Sequence, residues 1–79
     1  MLVKIKLLAT LQRYKPEVPA GEMFDVDLPD NATVGDLVDH LGIRENEVKI
    51  VYVNGRARAA VYRLSDGDEV GIFPPVGGG

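Results

Sequence analysis

The pattern of apolar residues along the chain predicts an α+β domain in which a single helix lies across one face of a sheet. Three observations carry this. Four segments alternate or run apolar as strands do, one segment repeats its apolar residues at helical spacing, and glycine or proline marks the junctions between them. The length of 79 residues, with 46% apolar and 27% charged side chains, suits one domain and excludes a second. A chain of this size buries only about 60% of its unfolded surface. Little core is left over for a deep catalytic cavity.

In Leu2-Val3-Lys4-Ile5-Lys6-Leu7-Leu8, residues Val3, Ile5 and Leu7 face one way and the two lysines the other, the period of a half-buried strand. Residues 12–22 hold Pro16, Pro19 and Gly21 among charges and read as a long surface loop. Met23 to Leu28 resumes the alternation through Phe24, Val26 and Leu28 until Pro29 stops it, so the first two strands are expected to pair antiparallel. Thr33 with Asp36 forms a capping box that starts a helix. Val34, Leu37, Val38 and Leu41 then make one stripe at i, i+3, i+4 and i+7. Gly42 ends the helix, and Ile43 is placed to fold back on Leu37 or Val38. So short a helix is unstable alone and must be held by packing its stripe on the sheet.

Val48 to Val53 is apolar on both faces apart from Lys49, as befits a central strand. Asn54-Gly55 predicts a tight reversal into a short, irregular strand within Arg56 to Tyr62. Leu64 to Asp68 makes a second turn before the last strand, Glu69 to Phe73, whose Val70 and Ile72 share a face. Phe73 and Gly71 fall on the other face. There Phe73 either anchors a partner or packs over the sheet rim against Val51 or Val53.

The net charge of −3 argues against general nucleic-acid binding by phosphate neutralisation. Residues 1–15 carry four basic groups and no acid, residues 17–47 carry nine acids against Arg44 alone, and residues 48–64 are basic again. If the basic segments are neighbouring strands, they form one positive face opposite an acidic helical side. The segment Met1 to Leu11 is broken by Lys4 and Lys6 and is neither a secretory core nor a membrane span, which leaves a cytoplasmic address by default.

Searches for catalytic chemistry return little. The absence of cysteine excludes a disulfide framework, a cysteine-bearing metal site and a thiol nucleophile on this chain. His40 lies one turn after Asp36 on an exposed helix position, and no third ligand type accompanies the pair; a solvated surface histidine explains it. Ser65 sits in a turn with no histidine near it in sequence. No catalytic residue and no metal site are assigned.

The end of the sequence is distinctive: Phe73-Pro74-Pro75-Val76-Gly77-Gly78-Gly79. Two prolines stop the last strand and favour extended backbone, and three glycines remove every side chain next to the carboxylate. The expected organisation is a body of residues 1–73 and a flexible, extended tail of residues 74–79, able to reach about 20 Å into a partner's cleft. The bland alternative is a frayed terminus. Otherwise the terminal carboxylate is the reactive group, made electrophilic by a partner that adenylates it with ATP.

Taken together, Lys4-Ile5-Lys6-Leu7-Leu8-Ala9-Thr10-Leu11, Ala32-Thr33-Val34-Gly35-Asp36-Leu37, Val53-Asn54-Gly55-Arg56, Asp66-Gly67-Asp68-Glu69-Val70 and the Pro-Pro-Val-Gly-Gly-Gly end resemble the sulfur carriers of the MoaD/ThiS family. The resemblance covers the chain end to end and implies a ubiquitin-like β-grasp with a mixed sheet of four to five strands. It implies that Gly79 is adenylated by an E1-like enzyme and becomes a thiocarboxylate, supplied by a sulfur donor enzyme. Pro74, Pro75, Val76, Gly77 and Gly78 would enter the active site of the large subunit of molybdopterin synthase or an equivalent, with Phe73 at the docking surface. ATP belongs to the activating enzyme, no cofactor is bound stably, and neither nucleic acid nor membrane is a partner. Gly77 and Leu8 depart from the molybdopterin carriers, so thiamine, tungsten pterin, cysteine synthesis and protein conjugation stay open as destinations.

Overall fold

The computed structural model describes residues 1–75. Five strands, β1 (Leu2–Leu7), β2 (Phe24–Asp27), β3 (Ile50–Val53), β4 (Arg56–Arg58) and β5 (Glu69–Phe73), form one sheet in the order β2-β1-β5-β3-β4. β1 and β5 run parallel, and the β1–β2, β3–β5 and β3–β4 pairs are antiparallel. The sheet is therefore mixed, and β5 sits at its centre.

One helix, α1 (Val34–His40), crosses one face. Thr33 Oγ1 accepts from the Asp36 N–H at 3.1 Å, and the Asp36 carboxylate accepts from the Thr33 N–H at 2.9 Å, which completes the capping box. At the other end Gly42 takes φ +73°, its N–H bonds the Asp39 carbonyl, and the Ile43 N–H bonds the Val38 carbonyl. This is the Schellman arrangement that satisfies the last carbonyls of the helix. Ile43 is buried as a result.

Val34, Leu37 and Val38 of α1 meet Val3, Ile5, Leu7, Val26, Val51, Val53, Val70 and Ile72 of the sheet in a single core. Alternation within each strand selects these residues, since every second side chain points toward the helix. The expected antiparallel pairing of the first two strands, the interior rather than edge place of β3 and the shared face of Val70 and Ile72 are all present.

Two expectations need correction. The loop expected over residues 12–22 does not begin at residue 12, because residues 12–14 close a 3₁₀ helix, Ala9–Tyr14, in which Leu11 is fully buried. The chain enters it through Ala9 at φ +51°, a conformation that no residue-type signal advertises. The two basic segments also fail to form one positive face: β5 separates β1 from β3, and Arg56 and Arg58 lie on the helix side, opposite Lys4 and Lys6.

Asp68 ties the last turn to the β3–β4 reversal. Its side chain is buried and accepts from the Ser65 N–H at 2.8 Å and from Asn54 Nδ2 at 2.9 Å; Asn54 Oδ1 in turn accepts from the Glu69 N–H at 2.9 Å. Asp68→Ala leaves two donors without their acceptor in a semi-enclosed site. Urea unfolding is expected to show a loss of about 2–3 kcal/mol. A loss under about 0.5 kcal/mol would mean that water replaces the carboxylate fully.

Candidate functional site

β5 delivers the chain out of the middle of the sheet. The Leu8 N–H donates to the Ile72 carbonyl at 3.1 Å on one side, and the Lys49 N–H donates to the Phe73 carbonyl at 2.8 Å on the other. The root of the C-terminal segment is thus held by both neighbouring strands up to its last sheet residue. Pro74 follows half-buried and Pro75 exposed, and neither proline has a backbone N–H with which to extend the ladder. Val76, Gly77, Gly78 and Gly79, the expected reactive end, lie outside the described residues.

On the sheet face away from α1, Phe73 and Tyr52 stack edge to face, with ring centroids 5.4 Å apart and planes at 78°. Their register explains the meeting: Tyr52 pairs with Gly71, and Phe73 with Ile50, so all four positions share this face. Gly71 lies beneath the ring and beside Leu8. A Cβ built there would stand 3.6 Å from Phe73 Cε1 and 3.8 Å from Leu8 Cδ2. Leu8, Ile50, Tyr52 and Phe73 therefore make an apolar, partly exposed patch beside the segment's root, with Lys6 next to Gly71 on β1.

Of the two readings of Phe73, packing against Val51 or Val53 is excluded, because both valines point to the opposite face. Tyr52 is the partner that the sequence reading missed. It was legible in principle, since any residue at i+2 from Ile50 in an antiparallel neighbour of β5 shares that face.

Charges around the patch are uneven. Away from the root, Lys4 pairs with Asp25 at 3.5 Å and lies opposite Glu69. Nearer the root, Arg13 pairs with Glu47 at 2.5 Å, and the Tyr14 hydroxyl donates to the same carboxylate at 2.7 Å. These contacts clamp the 3₁₀ helix to the segment that precedes β3. The arrangement gives the patch a firm border on the side where the chain leaves the sheet.

His40 and Ser65 are both exposed, and Ser65 meets Asp68 through its backbone alone: its N–H donates to the Asp68 carboxylate and its carbonyl accepts from the Asp68 N–H. Among the described residues no three His, Asp or Glu side chains gather to hold a metal ion. No helix is long and apolar enough to cross a membrane among those residues. The chemically distinctive feature is the pairing of an apolar face with a centrally rooted, glycine-ended segment.

Comparison with known proteins gives this arrangement a family context. The ThiS family model matches residues 5–79. The structure superposes on the crystal structure of SAMP1 from Haloferax volcanii with a TM-score of 0.75, 29% identity and 100% coverage of both chains. A Pyrococcus furiosus structure described as molybdopterin converting factor subunit 1 gives a TM-score of 0.74 at 29% identity, covering 96% of this chain and 99% of that one. The small archaeal modifier protein 3 of Haloferax volcanii is 40% identical over 45 residues, which are 57% of this chain and 45% of that relative, so less than half of the relative's length is matched.

Proposed function

The chain belongs to the ThiS family of ubiquitin-like β-grasp proteins, and from that premise we propose that it is a sulfur carrier for molybdopterin biosynthesis, with Gly79 as the acceptor. The observation that carries the reading is the rooting of the C-terminal segment at the centre of the sheet beside an apolar patch. A partner can grip Leu8, Tyr52 and Phe73 while the glycines reach into its active site.

The chemistry then needs no catalytic side chain of this protein. A carboxylate oxygen of Gly79 attacks the α-phosphorus of ATP in the activating enzyme, and pyrophosphate leaves. A sulfide-level sulfur attacks the resulting acyl carbon, AMP leaves, and a thiocarboxylate remains. Position and charge stabilisation for both steps come from the partner. Side-chain-free residues suit this, because a narrow channel can close around bare backbone. The likeness to a molybdopterin converting factor subunit 1 supports the pterin as the sulfur's destination, and on this reading a larger catalytic subunit receives the sulfur.

A second reading is supported by the likeness to two archaeal modifier proteins. There the activated Gly79 would be joined to a lysine amine of a target instead of accepting sulfur. Recovery from cells separates the two. A carrier is found unconjugated or in a non-covalent pair with a large subunit, whereas a modifier is found in higher-mass species linked through Gly79; covalent conjugates as the main form would overturn the carrier reading.

Phe73 supplies a further test. Phe73→Ala removes a ring that a partner would bury, and a central aromatic anchor contributes about 2 kcal/mol or more to an interface. Sulfur loading is expected to need roughly thirtyfold more carrier for half-maximal rate, with the saturated rate little changed. An unchanged concentration dependence would remove Phe73 from the docking face.

A further inference from the structure

The sulfur-carrier reading uses the open face and leaves the other side of the molecule, between α1 and β4, without a role. β4 is an edge strand. Asn54 at φ +51° and Gly55 at φ +85° make the two-residue reversal that leads into it. In such a hairpin the flanking pair, Val53 and Arg56, exchanges both backbone hydrogen bonds, and so does the pair two residues on, Val51 and Arg58. The N–H and C=O of Ala57 therefore point away from the sheet. Arg56 and Arg58 project on the helix side, because their register partners Val53 and Val51 are core residues.

Beside them runs a groove of about 440 Å³, within the size range of cavities that hold ligands. Its floor is Val34, Val38 and Val51, and Gly35, Ala59 and Ala60 form one end. The cause is local. α1 has only seven residues, and its Gly35 N–H donates to the Ala60 carbonyl at 2.9 Å, so small side chains face each other where the helix meets the segment after β4. Val61, next to Ala60, is 82% exposed.

The charges along this edge are also unmatched. The chain is acidic overall, yet among the described residues Arg56, Arg58 and Arg63 have no carboxylate within ion-pair distance. Arg58 lies over the Tyr62 ring at 4.5 Å instead, and the backbone of Arg63 forms a β-bridge with Thr33 at the start of α1. Asp39 and Glu45 line the helix side of the same groove. Their negative charge repels any anion on the helix side, so the carboxylates of a bound segment are confined to the sheet side, where the guanidiniums of Arg56 and Arg58 offer the planar paired donors that a carboxylate accepts.

We propose that the β4 edge and its groove bind an extended acidic segment of another protein, added to the sheet as a sixth strand. Ala57 supplies the outward ladder groups, Arg56 and Arg58 pair with carboxylates, and one apolar side chain enters the groove over Val38 and Val51. An extended segment is specified because an outward-facing strand edge is matched only by another backbone. β4 offers only three residues, so affinity must come mainly from the charges and the groove. The site lies on the face of the sheet opposite Phe73.

The test is a titration of the isotopically labelled full chain with a short peptide alternating glutamate and valine, followed by amide NMR. Shifts are expected at Arg56 to Ala60, Val34 and Val38, with Leu8 and Phe73 unmoved. The double variant Arg56→Glu plus Arg58→Glu is expected to weaken binding at least about tenfold, and a lysine–valine peptide to recover it. Both side chains are exposed, and an unchanged thermal midpoint checks that the variant folds. Absence of shifts, shifts confined to the open face, equal binding of a glutamine–valine peptide, tighter binding of a single-stranded RNA at the same arginines, or self-association without peptide would each overturn the proposal. Sulfur loading of the same variant is read separately. Its retention shows that the edge is independent of the C-terminal chemistry, and its loss would contradict that independence.

Discussion

Removing Gly79, or appending a tag after it, is expected to abolish sulfur transfer while leaving thermal unfolding within about 2 °C of the parent chain. The reason is geometric. The proposed reacting atom is the last carbonyl carbon, and deleting one residue withdraws it by about 3.4 Å along an extended chain. Misplacement by about 1 Å already costs roughly a hundredfold in an enzyme site, so the loss should exceed that comfortably. A tag keeps the glycines but converts the carboxylate to an amide, which has no anionic oxygen to attack ATP. Stability is insulated from both changes because the core ends at Ile72, three residues before the last described position. A variant that still donates sulfur would move the reactive centre elsewhere on the molecule, and one that unfolds would show that the segment is part of the body.

The second large effect concerns the helix. Leu37 is fully buried and is the middle contact of the stripe that fastens α1 to the sheet. Seven residues make about two turns, too few to hold a helix in water without tertiary packing. Leu37→Ala removes that packing and leaves a cavity, at a cost of about 3 kcal/mol. For a domain of this size the whole stability is on the order of 4–12 kcal/mol, so the midpoint should fall by roughly 12–24 °C. Calorimetry checks it directly. A fall of less than about 4 °C would mean that neighbouring side chains collapse into the space.

The parts of the fold that were legible in the sequence are those where one residue type has one mechanical use. Thr33 and Asp36 announce a capping box, Gly42 a helix stop, Asn54-Gly55 a tight reversal, and the alternation of Val3, Ile5 and Leu7 a buried strand face. The 3₁₀ helix at Ala9–Tyr14 was not legible, because an alanine at positive φ and a single buried Leu11 leave no periodic trace. The placement of β5 between β1 and β3 was also hidden. It depends on pairing between segments far apart in sequence, which no local pattern encodes, and it is what separates the two basic stretches and brings Tyr52 to Phe73. Within the candidate site, Phe73 could be named from alternation alone, but its neighbours Leu8, Ile50 and Tyr52 required the register.

The most direct measurement is the mass of the C-terminal peptide after the purified chain is incubated with its activating enzyme, ATP and a sulfur donor. The account predicts a gain equal to exchanging one oxygen for sulfur, confined to Gly79 and dependent on ATP. An unchanged C-terminal peptide under conditions where the enzyme consumes ATP in the presence of the chain, or sulfur found on any other residue, would contradict it.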